Sequence, residues 1–397
     1  MTASPALLPL TDAQQSRAAP DDPVRVCFLI DELALAGTET QLLALIRHLD
    51  RRRVLPHLCL LRGDSPASRA LEPDDCPVRR LGVGSLSRPA ALARMLRFAR
   101  LLRRWRIDVL QVFFPDSTYF GLPAAWLAGV PHRVRSRNNL GHWLTPVHRV
   151  VGRSVVRLAT HTVTNCPAAR DALQAEEGPA GGTIVVLENG VDLRRFDQVP
   201  LLSVRGPDEP VRVGVVANLR PVKGLDLLVE AAARLAAEHP QAVYEVAGEG
   251  ELRPELERQV RERCLQGRFV LRGKVNDVPA FLGRLQVAVL CSHAEGMSNA
   301  LLEYMAAGRA IVATAVGAAT DLMTDGVHGL LVPPGDASAL AAALDRLLRQ
   351  PELAVRLGLA ARARACQRYG REAMVRRFED FYEGLRSSRG ERGRRSA

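Results

Sequence analysis

The chain has 397 residues, enough for two domains of roughly 150–200 residues each and too many for one ordinary core. Hydrophobic residues make up 47% and charged residues 24%, globular values that exclude wholesale disorder. The formal net charge is +11, and only Lys223 and Lys274 interrupt a basic set that is otherwise all arginine.

That positive charge is spread over both halves, with local runs at 94–106 and 386–395. Such a surface suits nucleic acid, anionic lipid or an acidic substrate. No aromatic-rich RNA motif or zinc-finger spacing supports nucleic acid. No uncharged apolar run reaches the ~18–20 residues of a bilayer span; the nearest, Ser117 to Pro131, is broken by Pro123. The opening MTASPALLPLTDAQQ has no basic start and only a short apolar stretch, so no signal peptide is expected. Seven cysteines (27, 59, 76, 166, 264, 291, 366) include no C-x-x-C pair and read as reduced core thiols of a cytosolic protein.

In chain order, residues 1–22 are aperiodic and expected as a disordered tail. Over 23–199, short apolar runs alternate with helical patterns. Strands are predicted at 24–31, 54–61, 109–114, 131–136, 161–165 and 183–189, and helices at 38–49, 88–105, 118–128, 144–158 and 167–175. Near-continuous Val/Ile/Leu runs of this length predict a parallel sheet covered on both faces. Residues 200–210, PLLSVRGPDEP, form the linker candidate. The alternation then restarts, with strands at 211–217, 243–250, 268–273, 287–292 and 310–314. Helices are predicted at 224–238, 252–264, 277–284, 299–307, 336–349 and 351–386, and 387–397 is expected as a disordered basic tail. Two doubly wound α/β units follow, with ligands expected where the strand C-terminal ends face a cleft.

Several loops at those strand ends carry chemistry. In Glu295-Gly-Met-Ser-Asn-Ala-Leu-Leu-Glu303, a buried strand gives way to a helix opening near Ser298, whose free N–H groups suit a phosphate. The two carboxylates can then meet opposite ends of a nucleotide-sugar, although a plain strand-to-helix turn reads the same way. In Asn218-Leu-Arg220-Pro-Val-Lys223-Gly224, two cations on a Pro/Gly-punctuated loop can neutralise a diphosphate, or merely open a helix. Against the all-arginine background, the lysine favours the first. Ala36-Gly37 is a first-loop glycine that admits close approach of a ligand. Gly248-Glu249-Gly250, Arg272-Gly273-Lys274-Val275 and Asn189-Gly190-Val191-Asp192 are strand-end turns, equally consistent with structure and with function. The polar loop from Arg135 to His142 offers Arg137 and His142 to the cleft. No G-x-G-x-x-G, Walker loop, D-x-D or metal-spaced His/Asp cluster occurs, so no cofactor and no divalent metal is expected.

In this order the motifs resemble the retaining glycosyltransferases of family 4, which have the GT-B fold of two Rossmann-like doubly wound domains. The resemblance runs from about 24 to about 384. It is strongest over 211–336, through A-N-L-R-P-V-K-G, A-G-E-G, L-R-G-K-V-N-D-V, S-H-A-E-G-M-S-N-A-L-L-E, A-A-G and G-L-L-V-P-P-G-D. It implies an acceptor-binding domain over 23–199, a donor-binding domain over 211–374 and a helix over 375–386 crossing back to the first. It implies that Glu295, Lys223 and Arg220 are catalytic. Gly37, Lys274, Val275, Gly296, Met297, Ser298, Asn299 and Glu303 would bind the donor, with Glu303 on the ribose, and Arg137 and His142 would lie on the acceptor side. The family often has arginine where Asn218 stands, which passes that role to Arg220. The reaction implied is transfer of a sugar from a UDP-, GDP- or ADP-sugar to a glycan or lipid-linked hydroxyl. The departing diphosphate would take the acceptor's proton on the same face. Other readings are a nucleotide-sugar epimerase or glycan phosphorylase on the same fold, and a non-catalytic sugar-binding partner.

Two helical stretches are basic on one face. In 88–105, Leu92, Met95, Leu96, Leu102 and Trp105 lie among Arg94, Arg97, Arg100, Arg103 and Arg104. In 144–158, Val147, Val150, Val151, Val155 and Leu158 lie among Arg149, Arg153 and Arg157. Either these are ordinary amphipathic helices with solvated faces, or they seat a cytoplasmic enzyme peripherally on the anionic inner membrane.

Overall fold

The computed structural model describes residues 22–34, 36–63, 65–138, 154–178, 182–204 and 210–395, with side chains to residue 387. The first half contributes β1 (Val24–Ile30), β2 (Val54–Leu60), β3 (Val78–Arg80), β4 (Val109–Phe113), β5 (His132–Ser136), β6 (His161–Thr164) and β7 (Thr183–Val186). They form one parallel sheet in the order β3-β2-β1-β4-β5-β6-β7. The second half contributes β8 (Val211–Val216), β9 (Ala242–Ala247), β10 (Phe269–Gly273), β11 (Val287–Leu290), β12 (Ala310–Thr314) and β13 (Leu330–Val332). These are also parallel, in the order β10-β9-β8-β11-β12-β13.

The strands are apolar because both faces are covered: β4, β11 and β12 are buried at every residue. Strand order reverses between β1 and β4 in one sheet and between β8 and β11 in the other. At such a switch point the loops diverge and leave a crevice beyond the strand ends. The loops after β1, β8 and β11 carry motifs, as do those after β9 and β10.

The two strands absent from the sequence reading, β3 and β13, are three residues each and lie at sheet edges. Too short for a periodic signal, they exist because a neighbour supplies their hydrogen bonds. The single helix expected over 351–386 is two, Pro351–Arg368 and Arg371–Arg395. It breaks where the chain recrosses between domains: Val191 N donates to Tyr369 O (2.8 Å) and Arg371 N donates to Val191 O (2.9 Å). The outward crossing therefore lies near residue 190, ahead of the Pro-rich 200–210. Val191, Phe196 and Val199 already pack with Phe281 and Leu285 of the second domain.

The Arg371–Arg395 helix lies on the first domain. Met374, Val375, Tyr382 and Leu385 join the buried cluster around Val26, Phe28 and Ile30. The Tyr382 hydroxyl donates to Gln111 Oε1 at 2.6 Å, and Arg53 pairs with Glu379, Asp380 and Glu383. Residues 387–395, expected as a loose tail, continue this helix. Once packing has nucleated the helix each further turn costs little, which carries it through Gly390 and Gly393 although both are poor helix formers.

In the Pro89–Arg104 helix the expected apolar face divides. Leu102 is buried and Met95 and Trp105 pack inward, whereas Leu92 (58%) and Leu96 (40%) are exposed. Of the 144–158 stretch, Val147, Val150, Val151, Arg149 and Arg153 lie outside the described residues, while Val155 and Leu158 pack against the first domain's core.

Candidate active site

A cleft of about 740 Å³ separates the strand C-terminal ends of the two sheets. On its second-domain floor, β8 runs into a loop in which Pro221–Lys223 form a single tight turn closed by Gly224. His293 N donates to Val222 O (2.8 Å), stitching this loop to the one after β11. Lys223 and Glu295 thereby come from separate loops onto one spot, with Nζ 2.6 Å from Oε1. Ser292 Oγ donates to the same carboxylate oxygen at 2.7 Å. The ammonium keeps two further N–H donors for an incoming anion. Arg220 and Asn218 are exposed on the same loop and line the same cleft, as do exposed Lys274 and half-buried Val275 after β10.

The Asn299–Ala306 helix opens directly onto the cleft, with Ser298 as its N-cap accepting from Leu301 N (3.4 Å). Its remaining first-turn amides face the cleft with the positive end of the helix dipole behind them, an arrangement that suits an anion. One turn on, Glu303 is largely desolvated. Burial pushes its carboxyl up to about 7, only partly offset by Arg195, whose Nη1 is 3.9 Å away.

The opposite wall belongs to the first domain. Gly37 touches the side chain of Asn299, and a Cβ on Gly296 would overlap the carbonyl oxygen of Asn138. Gly296 is therefore required by the close approach of the two domains. All eleven residues expected as catalytic or donor-binding line this one cleft: Gly37, Arg220, Lys223, Lys274, Val275, Glu295, Gly296, Met297, Ser298, Asn299 and Glu303.

The acceptor-side expectations fare differently. Arg137 is turned away, its guanidinium pairing with Glu176 (2.6 Å) and Glu177 (2.7 Å) beside Arg135, and it does not line the cleft. Two adjacent glutamates at the end of the Pro167–Glu177 helix offer it a nearer counter-charge than any cleft ligand. His142 lies outside the described residues. The sequence reading missed Asn138, Asn165 and Arg195, and gave Gln41 and Ser292 no role. Asn189 was visible only as part of a turn. Asn165 is 4% exposed at the cleft wall, and its Oδ1 meets no hydrogen-bond partner among the described residues. Ser292 bonds Glu295 from three residues away; the others carry no local mark, because their neighbours at the cleft come from segments distant in the chain.

Comparison with known proteins bears on the family and the fold. Residues 36–190 match the family described as "Glycosyl transferase 4-like domain", and residues 210–350 match "Glycosyl transferases group 1". The chain is 30% identical over 293 residues to the 2-deoxystreptamine glucosyltransferase of Streptomyces kanamyceticus, covering 68% of this chain and 76% of that one. It is 30% identical over 287 residues to the glycogen synthase of Mycobacterium tuberculosis, covering 72% of this chain and 65% of that one. Among solved structures, Anabaena HepE in complex with UDP and glucose superposes with a TM-score of 0.77 at 20% identity, over 91% of this chain and 100% of that one. At that identity the likeness speaks to the GT-B fold alone.

Proposed function

Since the chain belongs to the group 1 glycosyltransferases, we propose that it transfers a sugar from a nucleoside-diphosphate-sugar to a hydroxyl of a glycan or lipid-linked acceptor. Transfer proceeds with retention at the anomeric carbon and without a divalent metal. The observation that carries this reading is the convergence of Lys223, Glu295, the Asn299–Ala306 helix N-terminus and Glu303 on one cleft.

In the reaction the bond from the anomeric carbon to the diphosphate oxygen breaks, and negative charge grows on the phosphate. Lys223, Arg220 and the helix amides stabilise that charge. A well-placed donor of this kind contributes on the order of 3 kcal/mol to the transition state. Because these donors are positive side chains and backbone amides, the neutralisation needs no bridging ion. Glu295 stands beside the sugar and holds Lys223 in place, and Glu303 accepts from the ribose hydroxyls. Backbone at Lys274 and Val275 lies where the base is read. The acceptor oxygen attacks the oxocarbenium-like carbon from the face the diphosphate is leaving, and its proton passes to the departing oxygen. The reading is tested by incubation with UDP-, GDP- and ADP-glucose plus a glycan acceptor mixture. Nucleoside diphosphate release with an α-configured product is expected, and inverted product would overturn retention. The epimerase, phosphorylase and non-catalytic readings have no observation in their favour.

No described helix is long and apolar enough to cross a membrane. The exposed side chains Leu92, Leu96 and Trp126, with Arg97, Arg100 and Arg104 on the same helix as the two leucines, support peripheral seating on an anionic surface at the cytoplasmic face. Arg94 and Arg103 belong to the scaffold instead, since Arg94 donates to Gly82 O and Arg103 to the Leu127 and Ala128 carbonyls.

A further inference from the structure

Asn299 stands at the first position of the helix that faces the diphosphate site, and its side chain is engaged at both its nitrogen and its oxygen. Nδ2 donates to Gly37 O at 3.1 Å. Oδ1 accepts from Gln41 Nε2 at 3.1 Å and from Asn189 Nδ2 at 2.9 Å. Gln41 in turn bonds the crossing segment twice: its Nε2 donates to Gly190 O (2.9 Å), and its Oε1 accepts from Gly190 N (3.1 Å). Each carboxamide nitrogen in this group meets an acceptor. Turning the Asn299 or Gln41 amide over would set oxygen against oxygen or N–H against N–H, so the network fixes both orientations.

Three chain segments meet here: the first-domain loop and helix (Gly37, Gln41), the interdomain crossing (Asn189, Gly190) and the second-domain helix (Asn299). We infer that Asn299 is a positioning residue, a clasp that holds the Gly37 loop against the donor-side helix through Gln41 and Asn189, so that the cleft is closed before nucleotide arrives. The inference rests on the donor placement proposed above. It goes beyond that placement by assigning the Asn299 side chain to the contact between the two domains.

The physical consequence is a population effect. If the binding-competent closed state is nearly fully populated in the intact protein, the clasp removes the penalty a donor would otherwise meet. The apparent Kd scales inversely with the closed fraction. Loss of the clasp should weaken nucleotide binding without disturbing either domain's core, because the carboxamides involved are only half-buried and lie between the domains.

The test uses the full-length chain with Gln41→Ala, Asn299→Ala and the double variant. Three quantities are measured: radius of gyration by solution scattering without ligand, UDP affinity by calorimetry, and Tm. Each single variant should show a larger radius of gyration and about a tenfold weaker UDP Kd if the closed fraction falls to ~0.1, with Tm unchanged. The double variant should match the singles, since one network has been cut twice. A radius of gyration equal to wild type in both singles, or additive losses in the double, overturns the clasp. If the intact chain binds no UDP, the uridine donor fails as a reading, and the ligand-free scattering still decides the clasp.

Discussion

Lys223 Nζ lies 2.6 Å from Glu295 Oε1, joining the loop after β8 to the loop after β11 at the floor of the cleft. The pair is partly shielded, with side chains 24% and 13% exposed, so neither charge is fully neutralised by water. Lys223→Ala should lower turnover by on the order of 10²–10³, the loss typical of one donor to a developing anion. Circular dichroism should stay native. Turnover within threefold of wild type would show that the lysine serves only to hold Glu295.

Arg220 and Asn218 are both exposed on that loop, and Arg220 N donates to Asn218 O at 2.9 Å. If Arg220 grips the diphosphate, Arg220→Ala should approach the Lys223→Ala defect in kcat, while Asn218→Ala should stay close to wild type. Steady-state kinetics with saturating acceptor rank the two. The reverse order would assign the diphosphate contact to Asn218.

Burial raises the Glu303 carboxyl from its ordinary 4.5 to about 7. The folded state therefore holds this proton more tightly than the unfolded chain does. The resulting stability is complete below pH 4.5 and is lost as pH rises through about 7. Glu303→Gln, neutral throughout, should match wild type near pH 4.5 and exceed it at pH 8 by on the order of 1–3 kcal/mol. Urea unfolding at the two pH values measures this, and a pH-independent difference would refute it. In kinetics, Glu303→Ala should raise donor KM more than it lowers kcat, because a ribose contact is made in ground and transition states alike.

Leu92, Leu96 and Trp126 are exposed large apolar side chains on two adjacent first-domain helices. Binding to anionic vesicles should be weak and should fall steeply with salt. Replacing Arg97, Arg100 and Arg104 by Gln should weaken it at ~1 kcal/mol per cation, with UDP affinity unchanged. Co-sedimentation at low and high salt measures this. Equal partition onto neutral and anionic vesicles would leave the helix as scaffold.

Much of this protein was legible in its sequence because the signals are local. A strand buried on both faces, such as VRVCFLI, must be apolar throughout. The helix that opens on the cleft begins with a side-chain cap, Ser298, and the loop that turns sharply after β8 carries Pro221 and Gly224. Most of the expected catalytic and donor-binding residues follow each other at short spacing on the loops after β8 and β11, so their pattern survives in one dimension.

Other features were decided only by the tertiary structure. The edge strands β3 and β13 exist because a neighbour pairs with them, and the helix break at residues 369–370 exists because residue 191 crosses there. Arg137, read as a cleft residue, is claimed by Glu176 and Glu177 from a helix some forty residues on. Asn299, read as a donor contact, spends its side chain on Gly37, Gln41 and Asn189. Polar side chains take the partner that folding brings nearest. Hydrogen bonds and ion pairs between segments hundreds of residues apart leave no periodicity in the chain, so their identity is settled by the packing of the two domains and not by local sequence.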